Sequence, residues 1–594
     1  MRFYQTPIHT LPVELLSYIF VLGTHSPPEL LTDEKEQQEL LPFNTESVKT
    51  PLIFSAVCRR WREVAQNSPS LWTSICVTAG SVEESSEDQT KRLNLSHITS
   101  YLSFSKRYPL NILLDTRDID WDFCEPEIFS TSELSDYVPP FSKDDMRTVI
   151  SLLLPHLFRW QSIEILTDTW APMHTALCML NGPLLVQGAP LLESLVLMRC
   201  NDYISHSPQF QPSRMKSPAL FSSESASEPT NDPILPRLRN LTLRGVHVDW
   251  PGLCNSLSPS LNSLELSSHS LDVRPTHSEF HDMLLACPKL SKLTLNGSGF
   301  VSDDEDLSLK TGVHALRGRV EPVSLPLLES LRIGYRSAFD GCDILSSLHA
   351  PDIKQLSLED ATHPGEVEVV EADSLLLCLA ELKRGQRRTV YPTASHSDAS
   401  SSCLCKTEPN SALYPFPNLQ KVVLKGMRAQ SNNFRRFLMS TPRLQSLELQ
   451  AVPRPMDVIA AMVPSWRLYT SQTVSGNTLP SSIPCPLLEE IRLQRAKLST
   501  EDLGFLTQNF LAARAEIGAG CLKRLDIHLV GTVESQFHFS DRLSLRIFES
   551  PLAGEDDDES SIGDSSENVD AQFQYGGVFN DPIFDAQYNS IFSH

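Results

Sequence analysis

The sequence lacks the marks that most enzymes, secreted proteins and membrane proteins carry. It has no phosphate-cradling glycine loop, no paired zinc-ligand spacing, no nucleophile elbow and no kinase signature. No apolar run approaches the ~20 residues of a spanning helix. Glu14 interrupts the first apolar stretch and no small-residue cleavage site follows, so a secretory leader is not expected. The 13 cysteines are odd in number and scattered, which fits no disulfide framework. Cys200, Cys254, Cys287 and Cys378 lie in or beside apolar segments, as small core residues do. Cys403 and Cys405, with His396 nearby, have no second ligand pair, so no metal site is expected. Positive charge is also short: 50 Lys and Arg face 73 Asp and Glu, a net −23. That balance excludes a general affinity for nucleic acid or an anionic membrane surface. The expectation is an intracellular protein, in cytoplasm and/or nucleus, that is not an enzyme and has no catalytic residues, cofactor or metal.

What the chain does have is a phrase, Pro-x-apolar-x-x-apolar-x-apolar, that recurs nine times. It reads Pro190-Leu192-Leu195-Leu197, Pro236-Leu238-Leu241-Leu243, Pro259-Leu261-Leu264-Leu266 and Pro288-Leu290-Leu293-Leu295. It continues from Pro326, Pro351, Pro417, Pro442 and Pro486, and a tenth copy, Leu522-Leu525-Ile527, has Gly520 in place of the proline. Successive prolines are 46, 23, 29, 38, 25, 66, 25 and 44 residues apart, so the spacing clusters at one or two units of 22–29 residues plus insertions. A unit of that length cannot bury its apolar face alone and must stack on its neighbours. Helical patterns precede several of the prolines, as in Phe280, Met283 and Leu284 before Pro288, or Phe434, Phe437 and Leu438 before Pro442. Ser499-x-x-Asp502 opens another, close to a capping box. The order helix, proline, strand is the syntax of right-handed crossovers and a parallel sheet.

The first part of the chain reads differently. Leu11 to Phe20 is a short amphipathic helix with Pro12 at its start and Glu14 in its first turn. After a polar loop, Leu52, Ile53, Ala56, Val57, Trp61, Val64 and Ala65 return at helical spacing. The segment closes on Pro69-Ser70-Leu71-Trp72. Leu-Pro-x-Glu-Leu-Leu-x-x-Ile-Phe, then Val57-Cys58-Arg59-Arg60-Trp61-Arg62, then Pro69-x-Leu71-Trp72, in that order, resembles an F-box. The resemblance implies a substrate receptor of an SCF ubiquitin ligase, whose F-box docks on the Skp adaptor and through it on cullin. Matched residue by residue, it implies adaptor contacts at Leu11, Pro12, Leu15, Ile19, Phe20, Val57, Cys58, Trp61, Leu71 and Trp72.

The repeats resemble leucine-rich repeats, whose L-x-x-L-x-L core is present. The Asn/Cys position three residues after the last leucine is filled by Cys200 but elsewhere by His269, Ser298, Arg336, Ala361 and Met427. Irregular turns are therefore expected. The fold class expected is α/β, a short all-α F-box followed by an irregular leucine-rich-repeat solenoid with a parallel sheet on the concave face. The F-box spans 8–77 with a loop insertion at 23–50, and degenerate linker repeats span 78–170, including strands near Leu110–Leu114 and Trp160–Ile165. The solenoid spans 171–550 with insertions at 201–233, 300–323 and 361–414, of which 201–233, 301–306 and 390–414 read as solvated loops. A disordered acidic tail fills 551–594, and Lys383–Arg388 is a basic cluster of the kind found on solvated helix ends.

In each strand the last two apolar residues point inward, so the residue between them faces out. That column reads Val196, Thr242, Glu265, Thr294, Arg332, Ser357, Val423, Glu448, Arg492 and Asp526. Its mixed charge suits a protein substrate, with Arg244, Glu265, Lys292, Arg332, Glu448 and Arg492 as candidate contacts. Arg332 and Arg492 are the preferred anchors, because a guanidinium grips a carboxylate in two places. The alternative is a ligase-independent repeat scaffold. Neither reading identifies the substrate.

Overall fold

The computed structural model describes residues 7–25, 43, 45–84, 91–118, 139–200, 209–222, 233–301, 321–362, 370–381, 416–463, 483–530 and 544–550. It is a mixed α/β protein of stacked strand–helix units. Met1–Cys287 makes up the bulk of one compact unit, and Pro288–Gly299 with Asp304–Ile562 the other.

In the first unit the strands Ser74–Thr78, Leu110–Asp115, Trp160–Thr167, Ser194–Arg199, Asn240–Arg244 and Ser263–Ser267 pair in chain order, all parallel. In the second, Lys292–Asn296, Ser330–Tyr335, Gln355–Asp360, Lys421–Lys425, Ser446–Gln450, Glu490–Ala496, Arg524–Val530 and Ser544–Ser550 do the same. Every copy of the repeated phrase supplies one of these strands. Its three apolar positions are buried each time, for example Leu328, Leu331 and Ile333, or Leu488, Ile491 and Leu493. The two strands foreseen upstream of the regular repeats are present, and the first sheet starts earlier still, at Ser74.

Register between neighbours is held by a recurrent backbone device. The carbonyl just before one strand accepts from two consecutive N–H groups at the start of the next. Glu193 O takes Arg239 and Asn240, Glu329 O takes Lys354 and Gln355, and Gln445 O takes Glu489 and Glu490. The tenth copy adds a bond that proline could not make: Gly520 donates its N–H to Pro486 O at 2.8 Å. A Cβ at Gly520 would stand 2.8 Å from that same oxygen, so only glycine fits.

The irregular turns are satisfied by other means than an asparagine ladder. His269 reaches Val246 O through Nε2 at 2.9 Å, and Cys200 and Ala361 use their backbone N–H on Thr167 O and Tyr335 O. The capping box at Ser499 forms as expected, with Ser499 Oγ accepting from Asp502 N at 3.1 Å.

One insertion is not the solvated loop expected. Residues 209–222 pack with Phe210, Leu220 and Phe221 buried, because three large apolar side chains outweigh the Ser and Pro around them. Within 361–414, Asp373–Glu381 is a helix burying Leu375, Leu376 and Leu379. It is the crossover helix of its repeat, hidden from a composition reading by the polar sequence that follows. Residues 302–320, the basic cluster 383–388, the Cys403/Cys405 segment and the tail 551–594 lie outside the described residues.

Candidate functional site

The N-terminal module consists of α1 (Val13–Thr24), α2 (Thr50–Val57), α3 (Arg59–Gln66) and a 3-10 turn, Pro69–Trp72. Pro12 sits just outside α1 as its cap residue. The apolar run from Leu52 to Ala65 is two helices rather than one, because Cys58 is extended at φ −162° and ψ 167°. The interior of the module is built from Leu16, Phe20, Leu52, Val64, Leu71 and Trp72. Phe20 stacks on Phe54 at 4.1 Å and meets Trp61 at 4.9 Å. Trp72 donates its indole N–H to Ala65 O at 2.8 Å and lies edge-on to Tyr101 of the helix Ser96–Phe104.

This packing sorts the residues singled out from sequence. Phe20, Leu71 and Trp72 are interior, 0–1% exposed, so they hold the module together and present nothing outward. Leu11, Cys58 and Trp61 are intermediate, and Leu11 O accepts from Arg60 of α3. Pro12, Leu15, Ile19 and Val57 are exposed, the last three at 52%, 46% and 56%. Around them the structure adds Val13, Tyr18, Leu22 and Ile53, all exposed. The result is an apolar surface spread over α1 and α2. The added residues were legible in principle, since α1 is apolar on nearly every side, the pattern of a helix buried from all directions.

The open sheet face of the second unit holds a lattice of charge. Glu448, Arg492 and Asp526 lie side by side in register. Lys421 Nζ is 3.3 Å from Glu448, Arg492 Nε is 3.1 Å from Glu490 and 3.8 Å from Asp526, and Arg524 is 2.7 Å from Asp526 and 3.5 Å from Glu490. Gln450 donates to the second Glu448 oxygen. Three cations and three anions thus neutralise one another. Glu448 is fully buried within this network, so it serves the network and offers no contact surface. Arg492 is committed to two carboxylates. Arg332 is different: it is exposed, lies between Thr294 and Ser357 in register, and makes no ion pair among the described residues.

The remaining candidates are scattered. Glu265 is half-buried and accepts from Ser267 Oγ at 2.7 Å, Arg244 is half-buried, and Lys292 is exposed. Among the described residues there is no group of acidic, His and Cys side chains that could hold a metal, and no helix long and apolar enough to cross a membrane.

No protein-family model and no curated protein sequence matches the chain. Among solved structures, it is similar to a chain in the crystal structure of the Rad7 and Elc1 complex in yeast. That similarity has a TM-score of 0.27 and 13% sequence identity, over 68% of this chain and 77% of that one.

Proposed function

We propose that this chain is a substrate receptor of an SCF-type ubiquitin ligase. Residues 8–77 act as an F-box that docks on a Skp adaptor and through it on cullin, and the open face of the repeats receives a protein substrate. The observation that carries the reading is the apolar surface of α1 and α2, with Val13, Leu15, Tyr18, Ile19, Leu22, Ile53 and Val57 left open to water. A soluble domain that keeps so many large apolar side chains together on adjacent helices has an interface to fill. The three ordered sequence motifs name its partner. The chain supplies tethering and selection, and the reactive cysteine and RING of such a ligase belong to other subunits. The place of action is the cytoplasm and/or nucleus.

The test is co-purification of the full chain with a Skp adaptor and cullin, comparing wild type with a Leu15→Asp, Ile19→Asp variant. Burying one such side chain contributes roughly 1.5–3 kcal/mol, so losing both weakens the complex by about two orders of magnitude or more. Both residues are exposed, so helix content by circular dichroism stays unchanged. Capture by the variant at wild-type level overturns the docking surface. A wild-type chain that captures no adaptor makes it a ligase-independent scaffold.

A further inference from the structure

Two thiols meet between neighbouring repeats of the second unit. Cys342 lies on the helix Ala338–Ser346 and Cys378 on the helix Asp373–Glu381. These are the crossovers that follow the paired strands Ser330–Tyr335 and Gln355–Asp360. Gly341 sets how near the two helices come, since a Cβ there would stand 2.9 Å from Leu375 Cδ1. Leu375, Cys378 and Leu379 share one face of their helix at i, i+3 and i+4, and Gly341 and Leu345 share the facing side of the other. Cys342 and Ser346 form the next row towards solvent, with Ser346 Oγ donating to Cys342 O at 2.7 Å. The Cys342 thiol is hydrogen-bonded to that of Cys378, and Cys378 also to the Ser346 hydroxyl. Both cysteines are free and half-buried, so the pair sits at the edge of the helix interface. Cys378 is therefore no core residue, although its apolar neighbours in sequence suggest one.

Cysteines elsewhere in the protein are placed differently. Cys76 and Cys485 are completely buried, and burial pushes both thiols up, that of Cys485 to about 11. Cys254 comes near Cys287, but Cys287 is completely buried with its thiol pushed up to about 12, and Cys254 donates to Glu279 O at 3.8 Å. Cys178 and Cys521 are exposed. At the pair between the repeats, the bond between the two sulfurs governs their acidity. It holds the Cys378 thiol below its ordinary value and pushes that of Cys342 up. Cys378 therefore gives up its proton first, and Cys342 keeps its own as the donor. The thiolate is the form that reacts, and a second thiol already in contact is what resolves the product.

We propose that Cys342 and Cys378 are a site of reversible oxidative modification, a dithiol that hydrogen peroxide closes to a disulfide between adjacent repeats. The Cys378 thiolate attacks one peroxide oxygen; the S–O bond forms, the O–O bond breaks and hydroxide leaves, giving a sulfenic acid. Cys342 passes its proton to that hydroxide and attacks the Cys378 sulfur. The S–S bond forms, the S–O bond breaks and a second hydroxide leaves, taking up the proton that Cys378 had released. Two thiols and one peroxide become one disulfide and two waters, with sulfur oxidised and the peroxide reduced. A thiol reductant restores the pair. The new bond ties together the two repeats whose strands carry Arg332 and Ser357 in register. The inference rests on this helix packing and not on the docking surface of α1 and α2.

The test uses the full chain, fully reduced and then freed of reductant, with hydrogen peroxide as the probe. After alkylation and digestion, mass spectrometry should find the Cys342 and Cys378 peptides joined, and dithiothreitol should separate them. The joined pair should form at least ~10-fold faster than any cross-link of the exposed Cys178 or Cys521. Cys342→Ser removes the resolving thiol, so dimedone should label Cys378 as a persistent sulfenic acid. In Cys378→Ser, dimedone labelling of Cys342 should be at least ~10-fold slower than that. Absence of the joined peptide from treated wild type overturns the site, whatever the variants do. A joined peptide that forms no faster than cross-links of Cys178 or Cys521 overturns it too, because contact between the thiols would then give no advantage.

Discussion

Single buried side chains set how this protein responds to acid. His97 is buried and holds Cys76 O through Nε2, and His247 is buried, stacked on Trp170 and bonded to Lys216 O at 2.7 Å. Burial pushes both imidazoles down to about 4 from an ordinary 6.5. Between those values the unfolded chain binds protons that the folded chain refuses. Stability from these two residues is therefore complete above pH ~6.5 and is lost as pH falls towards ~4, on the order of 3 kcal/mol for each. Asp168 works in the opposite sense, since burial pushes its carboxyl up to about 6 from 3.8. Its neutral form suits the fold, so it subtracts stability as pH rises through that range and offsets part of the histidine effect. Urea midpoints measured from pH ~7 to ~4.5 should fall steeply in wild type. They should flatten in His97→Gln, His247→Gln and steepen in Asp168→Asn, which removes the offsetting group. Equal slopes in all three would show that other groups govern acid sensitivity.

At the level of elements, strands end on a repeated backbone bend. Gly245, Ser268, Gly297, Gly426 and Ala451, each directly after its strand, all have positive φ, between 48° and 63°. Glycine takes that conformation freely, while a residue with a Cβ is strained there by about 1–2 kcal/mol. Ala451→Gly should therefore stabilise the second unit by about 0.5–1 kcal/mol net of glycine's extra chain entropy, raising its melting temperature by a few degrees. A fall in melting temperature would mean that the Ala451 methyl group contributes more packing than the bend contributes strain. The strands themselves were legible because each one announces itself with a proline and paired leucines. The helix at Asp373–Glu381 and the packed segment 209–222 were not, because low-complexity neighbours dominate any window drawn over them. Cys58 shows the same limit at finer scale, since helical spacing continues through it although its backbone is extended.

At the level of the whole molecule, the apolar face of α1 and α2 and the open sheet face carry different chemistry and suit different partners. The first was partly readable, since Leu15, Ile19 and Val57 were among the contacts the resemblance implied while Val13, Tyr18, Leu22 and Ile53 were not. The second was read as a uniform column of outward residues, and side-chain pairing across strands, which no single strand reveals, divides it. Arg332 and Arg492 looked equivalent in sequence, and they predict opposite phenotypes in the structure. Arg492→Glu would set a third carboxylate against Glu490 and Asp526 in a half-buried network, which should lower stability by about 1–3 kcal/mol. Arg332→Glu removes an exposed cation with no ion pair, so its melting temperature should stay within experimental error. If the open face selects substrate, Arg332→Glu is the variant that changes what is captured. Proximity labelling of wild type and Arg332→Glu, both still bound to adaptor, should show loss of specific acidic partners from the variant. The same partners recovered by both would move selection off this strand, to the charge lattice or to the segments between repeats.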